Sequence, residues 1–193
     1  MNICVFGASS NDLARPFYDA AQALGRAIAA GGHTLVYGGG AGGLMGACAR
    51  GAAELGDAIF GIAPRFFDEP GILYKERGQL IYTDTMAQRK QLMEEKADAY
   101  IVLPGGIGTF EEFFEVLTLK QLGRHAKPMA MLNTLGYYDA LVETLRKTAE
   151  AGFMSRNCLE LFSLCDSPEA AVAHCGVEEE TRGSIFRLSD YTR

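Results

Sequence analysis

Leu103-Pro104-Gly105-Gly106-Ile107-Gly108-Thr109-Phe110-Glu111-Glu112 follows an apolar run over 99–103 that reads as a buried strand. It leads into 110–122, a helix by its periodicity, with Phe110, Phe113, Phe114 and Leu117 on one face. Three glycines in four residues let the backbone approach a ligand where a Cβ would clash. Thr109 can cap the helix, whose free N–H groups point into the loop and, with the helix dipole, favour an anion such as a phosphate. Glu111 and Glu112 then fall in the first helical turn. The stretch offers an anion cradle and an acid-base group side by side. It can also be read as a plain strand-to-helix turn whose glutamates only complement the dipole.

The rest of the chain repeats the alternation. Residues 3–6, 34–37, 58–62, 80–82, 99–103 and 128–132 read as strands, and 162–165 as a last edge strand. Residues 15–30, 43–55, 86–97 and 137–151 read as helices, with a further one opening at Asp166-Ser167-Pro168-Glu169. Residues 63–79 form a polar loop. Such alternation predicts an α/β fold, a Rossmann-like doubly wound, mostly parallel sheet with helices on both faces. One domain over 1–193 is expected, with 177–193 a loosely attached tail or a final strand. Ligands of such sheets bind outside the carboxyl ends of the strands. Three permissive loops gather there: Gly7-Ala8-Ser9-Ser10, Gly38 to Gly43, and Pro104 to Thr109.

Composition narrows the chemistry. Hydrophobic residues make up 48% and charged ones 22%, ordinary for a soluble globular protein. A net charge of −6 gives no basic footprint for nucleic acid. No apolar run reaches the ~20 residues that span a bilayer, and the start reads as a strand without a basic leader. Five scattered cysteines without a Cys-x-x-Cys pair fit reduced thiols and a cytoplasmic location. Three histidines without ligand spacing suggest neither a metal site nor a Ser-His-Asp triad.

Gly38-x-Gly40-x-x-Gly43 fits the dinucleotide fingerprint literally, but it follows the second strand, and Asp57 precedes the third instead of ending it. No Gly-Lys-Ser/Thr phosphate loop occurs. Pyridoxal chemistry needs a Schiff-base lysine, and no residue signals one.

Pro104-Gly105-Gly106-x-Gly108-Thr109-x-x-Glu112 resembles, at every fixed position, the signature of the LOG family. These are the cytokinin riboside 5′-monophosphate phosphoribohydrolases, many once labelled lysine decarboxylases. Tyr37 to Gly46 resembles the family's second motif, a glycine loop ending in Gly-Leu-Met-Gly. Met86-Ala87-Gln88-Arg89-Lys90 is similar to the family's Met-His-x-Arg-Lys, with Ala87 where the family has His. The likeness runs over roughly residues 3 to 155.

The resemblance implies hydrolysis of the N-glycosidic bond of AMP or an N6-modified AMP, without cofactor or metal, by a homodimer. It assigns catalysis to Arg89 and Glu112. Glu112, near a helix N-terminus, is expected to be held ionised by the dipole and nearby cations. The phosphate and substrate would be held by Gly105, Gly106, Ile107, Gly108 and Thr109, by Gly39 and Gly40, and by Ser9. Met86, Lys90, Glu111 and Thr118 would complete the site, with Glu69 a weaker match. Other roles stay open: a solvated charge for Arg89, capping for Ser9 and Ser10, packing for Met86 and Met45, a helical surface for Thr118. The alternative function is a non-catalytic nucleotide or cofactor binder, such as a molybdenum-cofactor carrier.

Overall fold

The chain's computed structural model describes residues 1–176. The expected tail over 177–193 lies outside the described residues. Strand β1 (Asn2–Phe6) is followed by α1 (Arg15–Ala30), β2 (Thr34–Tyr37), α2 (Gly43–Ala53) and β3 (Ile59–Pro64). Then come β4 (Gln79–Thr83), α3 (Met86–Lys96), β5 (Ala99–Val102) and α4 (Ile107–Gln121). The chain continues through β6 (Met129–Leu132), α5 (Asp139–Glu150), β7 (Ser163–Cys165) and α6 (Pro168–Cys175). Among the described residues the seven strands are all parallel, in the order β4-β3-β2-β1-β5-β6-β7. The doubly wound architecture is as expected.

Strand period sorts the core. Ile3 and Val5 of β1 point to one face, where Leu24 and Ile28 of α1 and Leu44 of α2 cover them. Cys4 and Phe6 point to the other, against Met93 of α3 and Phe113, Val116 and Leu117 of α4. Because both faces are buried, the inner strands read as continuous apolar runs.

The winding places the site. From β1 the chain builds outward through β2, β3 and β4, then returns to pair β5 on the other side of β1. The loops after β1 and β5 therefore diverge from adjacent strand ends, the switch point where ligands bind. They are tied together: the Ala8 N–H donates to the Pro104 carbonyl at 3.1 Å.

Several boundaries move. Helix α4 begins at Ile107, with Gly106 as an extended N-cap that offers no side-chain bond. Thr109 is therefore not the cap. It is the third helical residue, 4% exposed, packed beneath the loop. Glu111 and Glu112 become the fifth and sixth residues, in the second turn. Phe113 and Leu117 are buried as expected, but Phe114 is 38% exposed, since it lies about 100° around the helix from Phe113. The 63–79 loop is also more ordered than expected. After a 3-10 turn at Arg65–Phe67 it runs back along the second glycine loop, where the Ala41 N–H donates to Ile72 and the Tyr74 N–H to Gly39.

Candidate active site

Arg89 and Glu112 meet. The start of α3 is fixed by a capping box in which Thr85 accepts from the Gln88 N–H at 3.1 Å and Gln88 Oε1 accepts from the Thr85 N–H at 3.2 Å. That register turns Arg89, the fourth helical residue, inward, where it is 6% exposed. Its Nε donates to the Ile62 carbonyl of β3 at 3.2 Å, and one terminal nitrogen donates to Glu112 Oε1 at 2.7 Å. The other terminal nitrogen lies against Gly38, where an added Cβ would stand 2.1 Å from it. Guanidinium geometry uses all three directions of the fork. Arg89 is therefore not a solvated helix charge.

Glu112 is almost as enclosed, with 12% of its side chain exposed. It borders a cavity of about 10 Å³ whose walls include Phe6, Met93 and Val116. Burial raises its carboxyl above the usual glutamate value, and the charge and hydrogen bond of Arg89 oppose the rise. Glu111 adds to the rise and Lys90 counters it. The expected balance is corrected: Arg89 and Lys90 do favour the ionised carboxylate, but burial outweighs them, so the pKa moves up and not down. The residue sits beyond the first turn, where the dipole has faded, and loss of water dominates.

Lys90 does not join the Arg89–Glu112 pair. It is held between Glu111 and Glu115, the latter at 2.9 Å, and both carboxylates raise its pKa. Met86 opens α3 and is 40% exposed, one turn before Arg89. Thr118 is exposed two turns beyond Glu111.

The cradle is open. Ile107 is 89% exposed, and a Cβ built on Gly106 or on Gly108 meets nothing within 4 Å. Gly105 by contrast packs against Thr109. Ser9 is exposed at the same strand edge, and Ser10 accepts from the Asp12 N–H at 3.3 Å, a local turn. Gly39 and Gly40 are tied to the segment that follows β3. Gly39 adopts a positive φ of 76° and its carbonyl accepts from Tyr74, while Gly40 bridges to Leu73. The N-terminal amides of α2 are also occupied: Leu44 and Met45 donate to Ala8, and Gly43 to Asn11 Oδ1. Glu69 is exposed on the segment after β3.

Three residues of the surroundings escaped the sequence reading: Asn11, Tyr137 and Tyr138; Gly38 was read as part of the glycine loop but not as the residue that makes room for Arg89. The Tyr137 hydroxyl donates to the Gly105 carbonyl at 2.6 Å, and the buried Tyr138 hydroxyl to Leu103 at 2.7 Å. The only signal was the adjacent tyrosine pair at a predicted helix start.

The family model described as "possible lysine decarboxylase" matches residues 45–175. A cytokinin riboside 5′-monophosphate phosphoribohydrolase of Arabidopsis thaliana is 42% identical over 153 residues, 79% of this chain and 72% of the relative. One of Mycobacterium tuberculosis is 38% identical over 173 residues, 90% and 92% of the two chains. Among solved structures, a molybdenum cofactor binding protein from Rippkaea orientalis is similar in fold, with a TM-score of 0.67. It covers 89% of this chain and 93% of its own at 20% identity, a likeness of architecture alone. With the Arg89–Glu112 pair and the glycine cradle at the switch point, these matches place the chain in the LOG family of cytokinin riboside 5′-monophosphate phosphoribohydrolases.

Proposed function

We propose that the protein hydrolyses the N-glycosidic bond of a nucleoside 5′-monophosphate, AMP or an N6-modified AMP, releasing the base and ribose 5-phosphate. The observation that carries this reading is the buried 2.7 Å contact between Arg89 and Glu112, one turn from an uncapped helix N-terminus. The relatives named for this reaction support it.

The 5′-phosphate binds the first amides of α4 between Gly106 and Thr109, where helix dipole and free N–H groups stabilise an anion. Binding energy from that remote group orients the sugar. As the C1′–N bond breaks, its electron pair leaves with the base and positive charge grows on the ribose ring. Glu112 stabilises that charge and takes a proton from the attacking water, whose hydroxyl ends on C1′. The proton then passes to the departing base. Arg89 holds the carboxylate in place and shifts its bond to the base side as charge develops. Burial raises the pKa of Glu112 and so strengthens it as a base. Glu111, paired with Lys90, orients substrate, as do Ser9, Met86 and Thr118 around the mouth. Gly39 and Gly40 shape the floor.

The protein acts as one domain and as a homodimer in the cytoplasm. Ile107, Phe114 and Leu122, all exposed, line one face of α4 and suit an isologous contact. The carrier alternative rests on fold alone. Incubating the protein with AMP and assaying ribose 5-phosphate separates the readings: stoichiometric binding without release of sugar phosphate supports a carrier.

A further inference from the structure

Three consecutive carbonyls of the signature loop are each held by a donor from another part of the chain. Leu103 accepts from the Tyr138 hydroxyl at 2.7 Å, Pro104 from the Ala8 N–H at 3.1 Å, and Gly105 from the Tyr137 hydroxyl at 2.6 Å. No helix or sheet ladder requires these bonds. Their common effect is on peptide orientation. In a trans peptide the C=O of one residue and the N–H of the next point in opposite directions, and the described residues contain no cis bond. A Gly105 carbonyl turned toward Tyr137 sends the Gly106 N–H the other way. A Cβ built on Gly106 meets nothing within 4 Å, so the loop is open at that residue.

The two glycines make the opposite arrangement accessible. Gly106 has φ −90°. Rotating the 105–106 peptide by half a turn would carry that φ to about +90°, a region open to glycine and closed to other L residues. In the rotated state a carbonyl oxygen would face the anion. The loop that needs glycine for close approach therefore needs an outside group to select one of its two peptide orientations.

We propose that Tyr137 is that group: a positioning residue that locks the Gly105–Gly106 peptide with its N–H toward the substrate phosphate. The inference rests on the nucleotide reading above, and it assigns a role to a residue outside the signature. Tyr137 suits the task. Its ring packs edge-on against Phe17 of α1 at 6.1 Å and against Tyr138 at 5.0 Å, which fixes the hydroxyl. It is itself 41% exposed, so its role is not to fill the core. Tyr138, with its ring buried, anchors the loop's base.

The test is Tyr137→Phe, which keeps the ring and removes the donor. Loss of one neutral hydrogen bond predicts that KM for AMP and the inhibition constant of ribose 5-phosphate rise together, by roughly threefold to tenfold. kcat should stay within about twofold. The inhibition constant of adenine, which lacks phosphate, should not change, and the melting temperature should hold. Unchanged ribose 5-phosphate inhibition in a folded variant overturns the proposal. So does an equal loss for adenine and ribose 5-phosphate, the mark of a merely structural role. If the unaltered protein fails to cleave AMP, the enzymatic reading falls. Calorimetric titration of both proteins with ribose 5-phosphate then decides the lock alone: tighter binding by the unaltered protein supports it, and equal binding overturns it.

Discussion

Gly38, at the end of β2, lies so close to Arg89 of α3 that one added carbon would stand 2.1 Å from the guanidinium. The glycine is there for the arginine. Its φ is not among the positive values, so alanine fits the backbone and the conflict is steric. Gly38→Ala should push Arg89 off Glu112 and lower kcat on AMP by tenfold or more, in the range expected when a positioned charge is lost. Steady-state kinetics beside a thermal melt checks this. A variant with normal kcat would mean that Arg89 tolerates displacement.

Gly106 differs from Gly38 in having open space around it. Its backbone is extended, so valine is tolerated locally. Gly106→Val should fold normally yet abolish AMP binding, because the side chain occupies the phosphate position. The unaltered protein should in turn cleave AMP far faster than adenosine. Equal rates on the two substrates would remove the cradle's role.

The pH profile should report the neighbours of Glu112. Glu112 acts as the base form, so kcat/KM falls as pH drops through its pKa, which burial places above the ordinary glutamate value. Glu111 raises that pKa and Lys90 lowers it. Glu111→Gln should therefore move the acid limb to lower pH, and Lys90→Met to higher pH. Shifts in the same direction, or none, would contradict the assignment of that limb to Glu112.

The exposed face of α4 predicts association. Phe114→Glu places a charge between Ile107 and Leu122 on the proposed contact. Sedimentation should show a dimer for the unaltered protein and a monomer for the variant at micromolar concentration. A monomeric unaltered protein would rule out the isologous contact.

The layout of the sheet was legible because both of its faces are covered. Runs such as 99–103 and 129–132 stay apolar throughout, and glycine or polar residues mark their ends. Through the resemblance of their two motifs to those of the LOG family, the pairing of Arg89 with Glu112 was legible. Its burial was not, because the enclosing atoms come from far along the chain: Ile62 on β3, Gly38 after β2 and Phe6 on β1. The start of α4 was misplaced because Gly106 and Gly108 look like loop. Helical geometry costs little at a first turn whose amides have no intrahelical partner in any case. The tyrosines at 137 and 138 gave no sign of their targets, since a hydroxyl's partner depends on tertiary approach and leaves no local pattern.

The central claim is that Arg89 and Glu112 act as one catalytic unit, and a double-mutant cycle on AMP hydrolysis tests it most directly. Glu112→Gln and Arg89→Ala should each lower kcat by at least about a hundredfold, the lower range for loss of an acid-base or charge-stabilising group. The double variant should fall little below the worse single, because groups that act together are non-additive. Glu111→Gln, as the neighbouring control, should lose much less. Two singles whose losses multiply in the double variant would contradict the coupled pair. Near-normal turnover by Glu112→Gln would contradict its role as the base.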